Sequence, residues 1–212
     1  MLTIIYSLDD STQFLSKIPE NLSKHPISSF PILPETNDEE IYLFIENIKE
    51  KQIILFLGHG GSSYLCRENR KQFITKDHLK YFDNKFFFCL SCDSQEFLGK
   101  NFKQNSLLSA IGFGDLPTDW NDILGKREYE SEAYKGINET IISSYREILV
   151  ELIINSFTDM FKRELDFKGL GNFFLIRLNK KISEVILKDK SNEENRILAN
   201  LLFETKSQMR RF

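Results

Sequence analysis

Short apolar runs stand at 2–6 (LTIIY), 53–57 (IILFL), 86–90 (FFFCL), 107–113 and 173–178, with Gly, Asp or Asn at or close to their ends. They are rich in β-branched and aromatic residues and too short for typical helices, so they predict strands. The unbroken runs at 53–57 and 86–90 predict strands buried on both faces. Between them the period changes. Asn37, with Glu40 three residues later, predicts a capped amphipathic helix running to Lys49, and Thr75 predicts a cap for KDHLKYF.

From about 133 to 165 the apolar positions Ile137, Ile141, Tyr145, Ile148, Leu149, Leu152, Ile153, Phe157, Met160 and Phe161 recur every three or four residues. This is the strongest helical pattern in the chain. A last helix is expected from about Lys180 onward. Strands alternating with helices predict an α/β fold with a mostly parallel sheet and helices on both faces. The stretch 25–36, with its prolines, reads as a loop or broken strand, and 112–136 as the longest irregular segment.

Composition narrows the class of protein. Apolar residues make up 41% and charged residues 28%, which is the balance of a folded domain and not of a disordered chain. Both signs of charge are interspersed to a net −3, so no concentrated basic face is on offer for nucleic acid. The first residues lack the basic segment and cleavage site of a signal peptide, and no apolar run approaches the ~18 residues of a membrane span. A cytoplasmic protein is therefore expected, without direct partnership with nucleic acid or membrane. The three cysteines, Cys66, Cys89 and Cys92, are too few for a secreted disulfide framework.

Candidate chemistry lies where two predicted strands end. GHGG follows the run at 53–57 and SCDS follows the run at 86–90, so His59 and Cys92 would leave the core at one sheet edge if those strands are adjacent and parallel. A thiol nucleophile needs a base and donors for an oxyanion, and the amides of Gly60 and Cys92 are the candidates. Cys66 and Cys89 read as core residues, and His25 and His78 as solvent-facing ones. Cys89 and Cys92 also form a C-x-x-C, and with Cys66 and His59 they supply ligand types for zinc. Against these, Cys89 lies inside a strand and no second paired motif exists. The chain has no G-x-S-x-G elbow, and its glycines do not complete a dinucleotide fingerprint.

The ordered pair IILFLGHGG and FFFCLSCDS, with FITKDHLKYF between and SLLSAIGFGDLPTDW after, resembles the caspase-like clan CD cysteine peptidases, and among them the CHAT domains. The resemblance covers about residues 50–122. The caspase Gln-Ala-Cys signature is absent, and Gln95 stands where the family often has Gly.

The resemblance implies one caspase-like domain over 1–212: a first unit at 1–50, a catalytic core at 51–122, and helices with a strand at 123–212. It implies a cysteine endopeptidase with His59 as base, Cys92 as nucleophile and Gly60 as oxyanion donor. A peptide or protein substrate is implied, with no cofactor and no metal. A regulatory protein partner in a bacterial antiviral-defence or stress module is implied as well. The alternative is an inactive scaffold of the same fold that binds a protein. Between Arg70 and Arg127 there is no arginine, whereas Asp93, Asp115 and Asp119 lie there, so these three are the candidate substrate-binding acids. A basic or neutral residue is expected before the cleaved bond, with Arg67 and Arg70 as the competing route to an acidic one.

Overall fold

The computed structural model describes residues 1–104, 106–128, 135–189 and 191–212. Contacts divide the chain into two compact units, Met1–Leu116 with Gln208–Phe212, and Pro117–Ser207. The chain crosses between them after Leu116 and before Gln208.

In the first unit, β1 (Leu2–Tyr6), β2 (Ile27–Pro31), β3 (Ile53–Leu57), β7 (Phe86–Leu90), β8 (Ser109–Gly112) and β9 (Arg210–Arg211) form one sheet in the order β2-β1-β3-β7-β8-β9. All pairings are parallel except β8 with β9. The stretch at 25–36 therefore contains an edge strand, and Pro31 ends it where a proline costs no ladder bond inside the sheet. A second, small antiparallel sheet is built from β4 (His59–Gly60), β5 (Leu65–Cys66) and β6 (Gln72–Ile74).

Parity decides which side chains share a face. Ile5, Ile54, Phe56, Phe87, Cys89 and Ala110 form one core cluster with Ile41 and Ile45 of α2 (Asp38–Asn47) and with Phe97 and Leu98 of α3 (Ser94–Asn101). The opposite parity, Ile4, Leu55, Phe88 and Ile111, is also buried, as the unbroken apolar runs predicted. Right-handed crossovers place α1 (Lys17–Leu22), which joins β1 to β2, on the face away from α2. Asn37 caps α2 by accepting from Glu39 N–H at 3.1 Å. Thr75 and His78 form a reciprocal cap on the short 3₁₀ helix Lys76–Phe82.

The second unit is helical: α4 (Trp120–Glu128), α5 (Glu139–Arg163), α6 (Phe167–Lys188) and α7 (Glu193–Gln208), the last residue of α7 belonging already to the first unit. The segment 112–136 is thus not wholly irregular, because α4 lies within it; residues 129–134 fall outside the described residues. The predicted long helix is α5, capped by Asn138. Positions 133 and 134 of that prediction lie outside the described residues.

The predicted strand at 173–178 is instead the middle of α6. Asp166 caps that helix through Gly169 N–H, and only Phe174 and Leu178 of the run are buried, four residues apart, while Ile176 stays exposed. The apolar run is a helix with one buried stripe, and its local cap outweighs the β-like composition. The expected last helix resolves into the end of α6 and the whole of α7. An Asp159 to Arg177 ion pair joins α5 to α6, and the Tyr145 and Thr205 hydroxyls, 2.7 Å apart, join α5 to α7. Among the described residues no helix is long and apolar enough to cross a membrane.

Beyond β9, Phe212 N–H donates to Ala110 O at 2.9 Å and the ring packs on Phe102 and Gly99, covering the β8 side of the sheet. Phe212→Ala removes that cover, and chemical denaturation should show a loss of about 1–2 kcal/mol.

Candidate active site

Strand order sets the location. The parallel part of the sheet reverses direction between β1 and β3, since the chain steps from β1 to β2 on one side and then to β3 on the other. In sheets of this kind the crevice at the carboxyl ends, beside that reversal, is where reacting groups collect. The ends of β1, β3 and β7 carry Asp9, His59 and Cys92 respectively.

His59 Nε2 lies 2.8 Å from Asp9 Oδ2 and 3.2 Å from Ser11 Oγ. A carboxylate can only accept, so Nε2 carries the proton and Nδ1 is the ring's basic nitrogen. Asp9 is itself held. Its Oδ1 accepts from Ser11 N–H at 3.1 Å, Ser11 Oγ at 2.8 Å and Thr12 Oγ1 at 3.1 Å, while Oδ2 accepts from Asn69 N–H at 3.2 Å. Partial burial pushes the Asp9 carboxyl up, but the bonds from Ser11 and His59, the His59 charge and the Asn69 amide outweigh it. The result lies well below the usual carboxylate range.

Sequence reasoning missed Asp9. Its local signal is D-D-S-T directly after the first strand, a turn that ties its own backbone. That signal acquires chemical meaning only once β1 is known to lie beside β3.

The His-Gly turn is seated against the nucleophile turn. A Cβ on Gly60 would stand 2.5 Å from Ser91 Oγ and 2.6 Å from Cys92 O, so only glycine permits this approach. Antiparallel pairing puts Gly61 N–H on Tyr64 O at 2.9 Å, and the alternation of such ladders turns the Gly60 amide to the other side of the ribbon. Asp93 has left-handed φ of 53°, which bends the chain sharply between β7 and α3 and puts Cys92 at the corner. Ser94 is fully buried and its hydroxyl lies within reach of Cys89 O at 3.0 Å and Ser91 O at 2.8 Å, closing the turn from inside.

Cys92 is half-buried, whereas Cys66 and Cys89 are buried. Burial pushes the Cys89 thiol up to about 12 against the lowering effect of Ser91 and Ser94, and burial raises Cys66 as well. The Cys92 thiol donates to Leu116 O at 3.4 Å. Among the described residues no three His, Cys, Asp or Glu side chains are grouped to hold a metal ion.

The remaining predicted positions separate. Asp93 shapes the nucleophile turn. Asp115 is half-buried and follows Gly114, whose carbonyl accepts from Asp93 N–H, and its own N–H donates to Gln208 Oε1 at 2.9 Å. Asp119 belongs to the second unit, where its Oδ1 accepts from Asn121 N–H at 2.9 Å at the start of α4.

His25 is half-buried, not solvent-facing. Nor is His78 solvent-facing: its ring stacks on Tyr42 at 4.4 Å and Nδ1 accepts from Thr75 N–H. Arg67 is not available to a substrate, being 1% exposed, while Arg70 is exposed. Around the Arg67 guanidinium stand Glu68, Asp38 and the carbonyls of Leu33, Pro34 and Thr36.

That cluster generates the first prediction for the site. Arg67→Met leaves two carboxylates and three carbonyls without their cation, and urea denaturation should show a loss of about 3 kcal/mol. Arg67→Lys should restore only part of it, because one ammonium cannot reach all five acceptors. The second concerns acid. Since the folded Asp9 carboxyl lies below its unfolded value, it stabilises the fold above the ordinary aspartate range and loses that contribution as pH falls below it. Wild type should exceed Asp9→Asn in stability near about pH 6, and the gap should begin to narrow below about pH 4 and go on narrowing with further acid; a gap unchanged down to about pH 2 would remove the ionised carboxylate from this account. Compared with known proteins, the sequence matches no family model and no curated protein.

Proposed function

We propose that this chain is a cysteine-type endopeptidase of the caspase-like, CHAT-related kind, with Cys92 as nucleophile, His59 as base and Asp9 as the group that orients the base. The observation that carries the reading is the seating of Gly60 on Ser91 and Cys92, with His59 held on a carboxylate one residue before it. Two turns from non-consecutive segments meet at a spacing that only glycine allows, and one bears a thiol while the other bears an imidazole with its tautomer fixed.

The chemistry follows from those positions. The Cys92 sulfur attacks a peptide carbonyl carbon as its proton passes to His59 Nδ1, and Asp9 steadies the imidazolium that forms. The Gly60 and Cys92 amides are the donors for the oxyanion. When the tetrahedral adduct collapses, the peptide C–N bond breaks and the amine leaves with the proton from His59. Water then attacks the thioester, giving its proton to His59, and the thiol is regenerated.

Of the two arginines that would favour a carboxylate before the cleaved bond, Arg67 is consumed inside the protein and only Arg70 is exposed, while the nucleophile turn itself carries Asp93. A basic or neutral residue fits better. By analogy with the resembling group, a regulatory protein partner in the cytoplasm of a defence or stress system would control access to the site.

Cleavage of a peptide library by the full chain is the test. Cys92→Ala and His59→Ala should each abolish cleavage with melting temperature retained, and Asp9→Asn should lower kcat by about 10²-fold with little change in KM. Retained cleavage by Cys92→Ala would end this reading.

A further inference from the structure

The thiol that must lose its proton to His59 is, in this structure, bonded elsewhere. Cys92 Sγ donates to the carbonyl of Leu116 at 3.4 Å. That carbonyl belongs to the bond before Pro117, a tertiary amide with no N–H of its own. A hydrogen bond made by the neutral thiol favours the neutral thiol, and a carbonyl cannot accept the proton outright. Leu116 therefore holds the nucleophile in its unreactive form.

Leu116 is also the last residue before the chain leaves the first unit, and Gln208 is the first residue after it returns. These two crossings are tied together beside the thiol. Asp115 N–H donates to Gln208 Oε1 at 2.9 Å, and Gly114 lies so close that a Cβ there would clash with the same oxygen. On its other edge the segment 113–116 is laid along the nucleophile turn. Gln95 N–H donates to Phe113 O at 2.9 Å, Asp93 N–H donates to Gly114 O at 2.9 Å, and Phe113 N–H donates to Ser94 Oγ at 2.9 Å. The segment thus has the turn on one side and Gln208 on the other, with the thiol bond at its far end.

We propose that 113–116 is a latch on the nucleophile, closed by the Leu116 carbonyl and set by Gln208, so that a shift of either chain crossing frees the Cys92 thiol for His59. This rests on the reading of Cys92 and His59 as a catalytic pair and adds to it the means of regulation. The chain enters and leaves its helical unit through the two residues that hold the latch, so a protein that pulls on either crossing would act on the thiol through the backbone. Gln208 is in this sense a positioning residue, acting through the segment and not on substrate.

The test is the rate at which iodoacetamide alkylates Cys92 in the full chain at neutral pH, read by peptide mass mapping. In that reaction the S–C bond forms as the C–I bond breaks, iodide leaves, and the thiol proton passes to His59. Gln208→Met keeps the bulk and removes the acceptor for Asp115 N–H, and it should speed labelling of Cys92 by about fivefold, the worth of one such bond. Gln208→Glu keeps an acceptor oxygen and should label at the wild-type rate. Gly114→Ala, which displaces the Gln208 side chain from the other direction, should match Gln208→Met. Buried Cys66 and Cys89 report on folding in the same spectra and should stay unlabelled. In both wild type and Gln208→Met, adding His59→Ala should slow the reaction. Wild-type rates in both Gln208→Met and Gly114→Ala, with His59→Ala still slowing each, would overturn the latch and leave the catalytic pair standing. Acceleration in those variants that His59→Ala does not touch would support the latch and remove the pair.

Discussion

A buried guanidinium fixes the corner on which the candidate site depends. Removing a charge of that size from water costs several kcal/mol, and it is tolerated only where every donor finds an acceptor. Arg67 meets that condition: Nε turns to Glu68, one terminal nitrogen reaches Thr36 O and Asp38, and the other reaches Leu33 O and Pro34 O. None of these partners can be exchanged without orphaning an N–H. The loop before α2 and the hairpin that follows His59 are therefore locked to each other. Glu68 then bonds the Ser7 hydroxyl at 2.8 Å and Asn69 bonds Asp9, both at the end of β1. The buried charge is used inside the protein, to set the imidazole's partner.

The same logic explains why the small sheet exists. A histidine at the end of β3 would ordinarily sit on a loop free to choose its rotamer. Here His59 opens β4 and is paired with Cys66 in β5, which is paired in turn with β6, so the backbone bearing the ring is hydrogen-bonded before any side chain is considered. Burial of Leu65, Phe73 and Ile74 in the main core cluster anchors that sheet to the large one. Site geometry is then inherited from the core, as precise positioning requires.

The placement of His59, Gly60 and Cys92 at one sheet edge was legible because its signals are local: a buried strand, then a break into small and polar residues. Asp9 was not, since an acid after a strand has chemical meaning only through the neighbour of that strand, and the order β2-β1-β3 is not written in β1. The burial of Arg67 was not legible for a related reason. Its acceptors lie on residues 33–38, some thirty positions away, and no pattern in the sequence announces a carbonyl nest. The run at 173–178 failed differently, because composition argued for a strand while a cap at Asp166 and a single buried stripe decided for a helix. The two-residue strand β9 was invisible, as its identity comes wholly from the edge of β8 that it covers.

The position of Gln95 shows how a departure from an expected pattern can be absorbed by a facing strand. Gln95 follows directly on the turn that carries Cys92 and stands in the first turn of α3. The approach is permitted from across the sheet. A Cβ on Gly112 in β8 would lie 2.8 Å from Gln95 N and 2.9 Å from its Cα, so the missing side chain is on β8 and not on the turn. Close passage between two backbones needs one small residue, and which backbone supplies it is free. With Gly60 clearing the other flank against Ser91 and Cys92, the nucleophile turn runs between two glycines from different strands. Its shape is therefore set by its neighbours as well as by its own residues.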